Sequence, residues 1–267
     1  MVYSETCRSD SRLNGFSLVE LSIVLVILGL LTGGILTGQN LIRAAELRKL
    51  TSQIPTYQTA VRTFQDKYFG LPGDLANATR FWETMSSGTC PNATGGNGTE
   101  TCNGDGNGQI NSAGSASQTV ELYLFWQHLT NAGLIEGQYT GIAGPEDNDH
   151  AVPGENVPIT LNNAGFSVEF IGPVTGSAGF PDGDYGNILE VGLPDVGSGT
   201  ADGTDVPFIS APELWNIDKK LDDGKPHSGF IMTYKHAIRS ACVSASAQYN
   251  TGSEIKNACN FFVRKIY

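Results

Sequence analysis

Gly15-Phe16-Ser17-Leu18-Val19-Glu20, with the apolar stretch that continues it to Gly38, is the segment on which the reading of this chain turns. Phe16 to Gly38 is 23 residues with one ionisable side chain, Glu20. As a helix rising about 1.5 Å per residue this is roughly 34 Å, enough to cross a bilayer hydrocarbon core. Arg8 and Arg12 precede the stretch and Arg43, Arg48 and Lys49 follow it, so the flanking charges leave the orientation open. An ordinary secretory leader has a shorter apolar core followed by an Ala-x-Ala-like site. Here the small residue suited to cleavage, Gly15, stands before the apolar run. Cutting at Gly15-Phe16 would leave the hydrophobic helix on the product.

A carboxylate inside a spanning segment costs several kcal/mol unless it has a partner, in the range of about 2.5 or more. Cleavage at Gly15-Phe16 would create an amine on Phe16 about one helical turn from Glu20, on the same or an adjacent subunit. This arrangement resembles the prepilin family, which includes type IV pilins and the pseudopilins of type II secretion. The matching residues are a short leader ending in Gly15, Phe16 as first mature residue, Glu20 as the fifth, and the apolar helix behind them. The resemblance implies cleavage by a prepilin peptidase, N-methylation of Phe16, and assembly with other pilin or pseudopilin subunits on an inner-membrane platform. It also implies a single-pass protein of the bacterial inner membrane with a periplasmic head, later part of a filament.

Beyond the membrane stretch the apolar residues Ile42, Ala45, Leu50, Ile54, Tyr57, Val61, Phe64 and Tyr68 recur at three- to five-residue intervals, with charged residues between them. The spacing predicts an amphipathic helix lying on a globular domain. Gly33, Gly34, Gly38 and Pro55 are expected sites of bending or local melting, although small residues in a membrane helix equally serve close packing. Leu71-Pro72-Gly73-Asp74 stops the helix. The expected organisation is a leader (1–15), a membrane and filament-core helix (16–38), its amphipathic continuation (39–70) and one head (71–267). The stretch Lys67–Asp74, and the block from Phe125 to Ile135 with Tyr139-Thr140-Gly141, resemble a subgroup of bacterial pilin-like proteins.

The formal net charge is −11, and from Leu71 to Asp218 Arg80 is the only basic residue against nineteen acidic ones. Such a surface disfavours nucleic acid, which needs Lys and Arg against its phosphates. It reads as a solvated acidic face, or as an attraction for divalent cations or a basic partner. Cys7 leaves with the leader, and Cys90, Cys102, Cys242 and Cys259 remain. An even number in an oxidising compartment points to disulfides, with three connectivities possible. Local pairing, Cys90–Cys102 and Cys242–Cys259, is favoured, and the second pair resembles the disulfide-bounded C-terminal region of type IV pilins. Zinc is the competing use, but the spacings are long and the four histidines scattered.

In Asn103-Gly104-Asp105-Gly106-Asn107-Gly108-Gln109-Ile110, side-chain oxygens at alternate positions, a turn glycine and an apolar residue follow the first eight places of an EF-hand-type calcium loop. The twelfth place is Gly114 where a bidentate Glu belongs, so Glu121 would have to supply the carboxylate. Asn103, Asp105, Asn107, Gln109 and Glu121 are the candidate calcium ligands. A Gly/Asn linker held by a Cys90–Cys102 bridge is the alternative.

Thr119 to Ile135 reads as a helix with a Leu122, Phe125, Leu129, Ala132 stripe widened by Trp126, and His128 at the edge of that core. Residues 166–171, 188–191, 230–234 and 261–266 read as strands, with 172–184 and 194–207 as loops. Ser210-Ala211-Pro212-Glu213 is a capping box opening a short helix through Leu221. The expected fold is α+β and pilin-like: a long N-terminal helix packed on a small antiparallel sheet with loop-rich insertions. Asn-x-Thr sequons at Asn77, Asn92 and Asn97 reflect an Asn/Thr-rich composition, and no glycan is assigned.

No nucleophile, base and orienting acid stand together, and no Walker or dinucleotide glycine pattern occurs, so an enzyme is not expected. The expected function is structural: a subunit of a type IV pilus or type II secretion pseudopilus. A minor or tip pilin that binds a surface, a secreted substrate or DNA is the alternative, and the acidic surface argues against DNA.

Overall fold

The computed structural model describes residues 17–85, 99–111, 121–146, 150–195 and 203–266. Its first element, α1 (Leu18–Tyr68), is a single helix of 51 residues. It runs through Gly33, Gly34, Gly38 and Pro55 without a break, so the expected local melting does not occur. Proline removes only one backbone bond, and Leu50, Ile54 and Tyr57, all buried around Pro55, keep that turn in place. The chain falls into two compact units, Met1–Ala45 and Glu46–Tyr267.

In the first unit, α1 is apolar and exposed: Leu18, Leu30 and Leu41 are typical of the whole stretch. Its hydroxyls are satisfied within the helix. Ser22 Oγ donates to the Val19 carbonyl at 2.8 Å, Thr32 Oγ1 to Leu28 at 2.9 Å and Thr37 Oγ1 to Gly33 at 2.9 Å. A helix of this kind presents no unsatisfied backbone group to hydrocarbon, and among the described residues it is the one long and apolar enough to cross a membrane.

In the second unit, Leu50, Ile54, Tyr57, Val61 and Phe64 of α1 form the predicted buried stripe. Tyr57 meets Trp126 and Phe166 edge to face, each with ring centroids 5.0 Å apart, and so joins α1 to both the helix that carries Trp126 and the sheet. Helix α2 (Glu121–Asn131) is buried from Glu121 to Leu129. It ends four residues before the expected Ile135, because Gly133 takes φ +71° and closes a Schellman turn in which Leu134 N–H donates to the Leu129 carbonyl at 3.0 Å.

The main sheet has four antiparallel strands: β1 (Gly165–Phe170), β4 (Asn187–Gly192), β6 (Phe261–Val263) and β5 (Ile231–Met232), in that spatial order. Register pairs Val168 with Leu189 and Leu189 with Val263. Period-two alternation sends Phe166, Val168, Leu189, Val191, Phe261 and Val263 to the core shared with the helices. It sends Ile188, Met232 and Phe262 to the other face, which Tyr185, Tyr234 and Phe180 cover. The fold is therefore α+β, a long helix and a small antiparallel sheet.

Two strands are shorter than their sequence pattern. Phe230 and Ile231 N–H both donate to Asp222 Oδ2 and Thr233 N–H to the Pro226 carbonyl, which takes these donors from the ladder and limits β5 to two residues. Lys265 at φ +53° turns the chain out after β6. The loop expected over 172–184 contains a small pair, β2 (Pro173–Val174) with β3 (Gly183–Asp184). Helix α3 (Ala211–Leu221) has its expected cap, with Glu213 Oε2 accepting from Ser210 N–H at 3.1 Å and from Ser210 Oγ at 2.7 Å.

Cys242 and Cys259 are joined, as expected, with Cα atoms 5.0 Å apart. Cys102 is disulfide-bonded, and its expected partner Cys90 lies outside the described residues.

Candidate functional site

The N-terminal end of α1 is organised by Ser17 and Glu20. Glu20 N–H donates to Ser17 Oγ at 3.2 Å and Ser17 N–H donates to Glu20 Oε2 at 2.9 Å. This is a reciprocal capping box, which satisfies two of the amides that a helix start leaves without internal partners. The Ser-x-x-Glu pattern that signals it is present in the sequence, although Glu20 was singled out there only as a partner for an amine. Gly15 and Phe16, the expected processing residues, lie outside the described residues.

The second site lies in the head. Gly73, at φ +84°, sits so close to α2 that a Cβ there would stand 2.4 Å from the Glu121 carbonyl oxygen, and Gly104 packs as tightly on the backbone of Asp74. These two approaches set Asp74 beside the first turn of α2 and under the loop 103–111. Asp74 is buried, and its Oδ1 accepts Gly106 N–H at 2.6 Å and Asn107 N–H at 3.0 Å while Oδ2 accepts Gly108 N–H at 2.8 Å. Glu121 accepts Asp105 N–H through Oε1 and Asn111 N–H through Oε2, both at 3.0 Å. Two carboxylates thus hold five backbone amides of one loop.

The loop is fixed at its other end by Ile110, which is fully buried. Its N–H donates to Asn187 Oδ1 at 2.8 Å, its carbonyl accepts Phe170 N–H at 2.8 Å, and Asn187 Nδ2 donates to the Gly108 carbonyl at 2.9 Å. The 103–111 segment is therefore not a loose linker.

Of the five residues proposed as calcium ligands, the structure brings together two. Asp105 and Glu121 join Asp74, with one carboxylate oxygen from each lying within 4.8 Å of the other two. Asn103 is turned away, its Oδ1 accepting Thr79 N–H at 2.9 Å, and Asn107 Oδ1 accepts Gln109 N–H at 2.7 Å in a local turn. The EF-hand order of alternate ligands is thus not reproduced, because the side-chain oxygens of Asn103 and Asn107 are occupied by the backbone. The sequence reading missed Asp74. Its only signal was the Pro-Gly-Asp turn directly after α1.

Burial first, and then the neighbouring Asp105 and Asp74 charges, push Glu121 up to about 7 against the Asn111 and Asp105 amides, which favour its ionised form. Burial also raises Asp74. A site of three hard oxygen donors, in which burial resists the ionisation of Asp74 and Glu121, suits either a shared proton or a divalent cation such as calcium.

His128, expected at the core edge, is fully buried. Its Nδ1 accepts Gly73 N–H at 2.9 Å, which assigns the proton to Nε2, 3.0 Å from Thr101 Oγ1. Thr101 in turn donates to Gln127 Oε1 at 2.6 Å. Trp82 and Phe64 stack over the ring. Burial lowers His128 to about 4, so it is a neutral tie between the 71–74 turn, the 99–102 segment and α2.

A family signature described as the prokaryotic N-terminal methylation motif matches residues 11–36. The chain carries a prepilin-type signal, that of type IV pilins and pseudopilins. The match covers the segment that holds Gly15, Phe16, Ser17 and Glu20 and most of the apolar stretch behind them. It supports a pilin or pseudopilin type of protein, and the signal itself implies processing by a prepilin peptidase and assembly with other pilin subunits. No curated protein and no solved structure matches the chain.

Proposed function

We propose that this chain is a structural subunit of a type IV pilus or type II secretion pseudopilus, cut at Gly15-Phe16, methylated on Phe16, and assembled through α1. The observation that carries this reading is the joining, in one helix, of a methylation motif and an exposed apolar stretch whose polar groups are internally satisfied. Such a helix is stable in a bilayer as a monomer and in a bundle of identical helices after leaving it. Before assembly Glu20 caps its own helix. In the filament it faces the amine of Phe16 on the same or a neighbouring subunit, which removes the cost of a lone carboxylate in an apolar core. The head stays on the periplasmic side of the inner membrane until the subunit is drawn into the filament.

Gly15→Val tests the first step in the native host. The expected result is a full-length chain retained in the inner membrane, with filaments lacking this subunit. Normal incorporation of the uncut variant would overturn the reading.

We further propose that Asp74, Asp105 and Glu121 hold a calcium ion, with water and loop carbonyls completing the shell. The proximity of three hard oxygen donors supports this, and the cation would balance charges that burial otherwise penalises. Isothermal titration with calcium at pH 8 is expected to show binding that Glu121→Gln abolishes. Equal heats from wild type and variant would contradict it.

A further inference from the structure

We infer that the cleft bordered by α1, the turn 133–139 and residues 158–159 binds a short zwitterionic peptide with apolar side chains. This adds a binding role for the head and does not rest on the subunit reading above.

The cleft measures about 520 Å³, within the range of roughly 300–1,000 Å³ that small-molecule sites occupy. Two of its lining residues are phenols that share one base. Tyr57 lies 5.0 Å and Tyr139 6.5 Å from the fully buried Trp126, both edge to face. Gly137, at φ +107°, lies so close to the Tyr139 ring that a Cβ there would stand 3.1 Å from the hydroxyl. Gln53 ties α1 to residues 159–160: its Nε2 donates to the Ile159 carbonyl at 3.2 Å and its Oε1 accepts Thr160 Oγ1 at 2.9 Å. The borders of the cleft are therefore braced without a ligand, which lowers the cost of binding one.

The observation that carries the inference is a set of polar groups that the head leaves unused. Lys49 and Glu136 line the same cleft and are exposed, and among the described residues neither side chain has a hydrogen bond or ion pair, with the other or with any neighbour. Tyr139 O–H has no partner among the described residues either. Tyr57 accepts Gln53 Nε2 at 3.2 Å, while its own proton has no acceptor there. Burial raises Tyr139 to about 12, and burial with the neighbouring Tyr139 raises Tyr57, so both phenols keep their protons at neutral pH. One ammonium, one carboxylate and two phenol donors thus border a space whose apolar wall is Leu134, Ile135 and the 40 % exposed Ile159.

Charge balance selects the ligand. A simple anion attracted by Lys49 is repelled by Glu136, and a simple cation meets the reverse. A free peptide carries both charges, a carboxylate for Lys49 and an ammonium for Glu136. Its amide carbonyls accept from the phenols, and its apolar side chains cover the apolar wall. Lys49 and Glu136 stand beyond ion-pair reach of each other, which leaves both open to a ligand that bridges them.

The test is equilibrium dialysis of the full-length chain in detergent against tritiated leucyl-leucine at neutral pH, with detergent alone as blank and unlabelled peptides as competitors. Leucyl-leucine is expected to bind saturably. N-acetyl-leucyl-leucine, which lacks the ammonium, and leucyl-leucinamide, which lacks the carboxylate, are each expected to compete about tenfold more weakly, the loss of one charged hydrogen bond. Glu136→Gln is expected to remove the penalty of the acetyl cap and leave that of the amide cap, and Lys49→Gln to do the reverse. Tyr139→Phe keeps the ring and is expected to weaken all three peptides about fivefold. Lys49 and Glu136 are exposed, so their substitutions are expected to leave the thermal midpoint in place, which separates altered binding from altered folding. No saturable binding of leucyl-leucine, equally strong competition by either capped peptide, or a cap penalty that survives in its matching variant would overturn the peptide site.

Discussion

The two parts of α1 are one helix by backbone and two different objects by environment. From Leu18 to Leu41 apolar side chains point in every direction and are exposed; from Leu50 to Phe64 they occupy one stripe and are buried. The difference lies in what surrounds them. In the second part Arg48, Lys49, Arg62 and Asp66 cover the side away from the core, so the head supplies all the cover that the helix needs. In the first part Ser22, Thr32 and Thr37 turn inward to their own carbonyls, and the apolar side chains of the described residues are exposed. The comparison teaches that the first surface suits an apolar surrounding such as lipid or other helices, whereas the buried stripe is matched to this head.

That contrast can be broken most sharply by truncation. Phe64→Ala is expected to lower head stability by about 3–5 kcal/mol, because a fully buried ring leaves a cavity. Leu25→Ala in the exposed part is expected to leave it within about 0.5 kcal/mol. Urea unfolding of the two variants in detergent reads both, and equal losses would deny the division.

Acid sharpens the comparison between helix and head. His128 is held near 4 in the folded head against its ordinary 6.5, so the unfolded chain binds the extra proton between those values. Its contribution is complete above pH 6.5 and is lost as pH falls toward 4, on the order of 3 kcal/mol over the window. His128→Asn keeps an acceptor for Gly73 N–H and removes the titration, so the difference in slope between wild type and variant isolates the effect.

Replacing Cys242 and Cys259 by serine is expected to cost about 3 kcal/mol, the closure entropy of a loop of this length. Thermal unfolding in non-reducing buffer measures it.

The smallest expected effect concerns Glu121, whose raised value works in the opposite sense to His128. A carboxyl pushed up to about 7 stabilises the fold below its ordinary 4.5 and loses that contribution as pH rises through 7. Calcium binds the ionised form, so its stabilisation is expected to be larger at pH 8 than at pH 5, and Glu121→Gln to remove the difference. Calcium shifts in the melting temperature that are equal at both pH values would contradict the site.

The parts of this fold that were legible in the sequence are those whose signal is local. The apolar run, the three- to five-residue stripe, the alternation of β1 and β4 and the Ser210–Glu213 cap each lie within a short window. The strands β2 and β3 were not legible, since two-residue pairs among Gly and Pro leave no period. The shortness of β5 was not either, because it is decided by Asp222 and Pro226 taking donors that the pattern assigns to a ladder. The acidic site was half legible. Asp105 and Glu121 stood out by residue type and spacing, but Asp74 reaches them only because Gly73 and Gly104 allow backbones to touch across some thirty residues of chain. The same long-range contact makes His128 a buried tie instead of a core-edge residue.

The measurement that bears most directly on the account is peptide mass spectrometry of the N-terminus in filaments sheared from the native host. The account predicts a terminus at N-methylated Phe16, with residues 1–15 gone and the apolar helix retained. An intact Gly15-Phe16 bond in a chain that never enters the filament fraction would contradict it, and would leave a membrane-anchored head with no part in assembly.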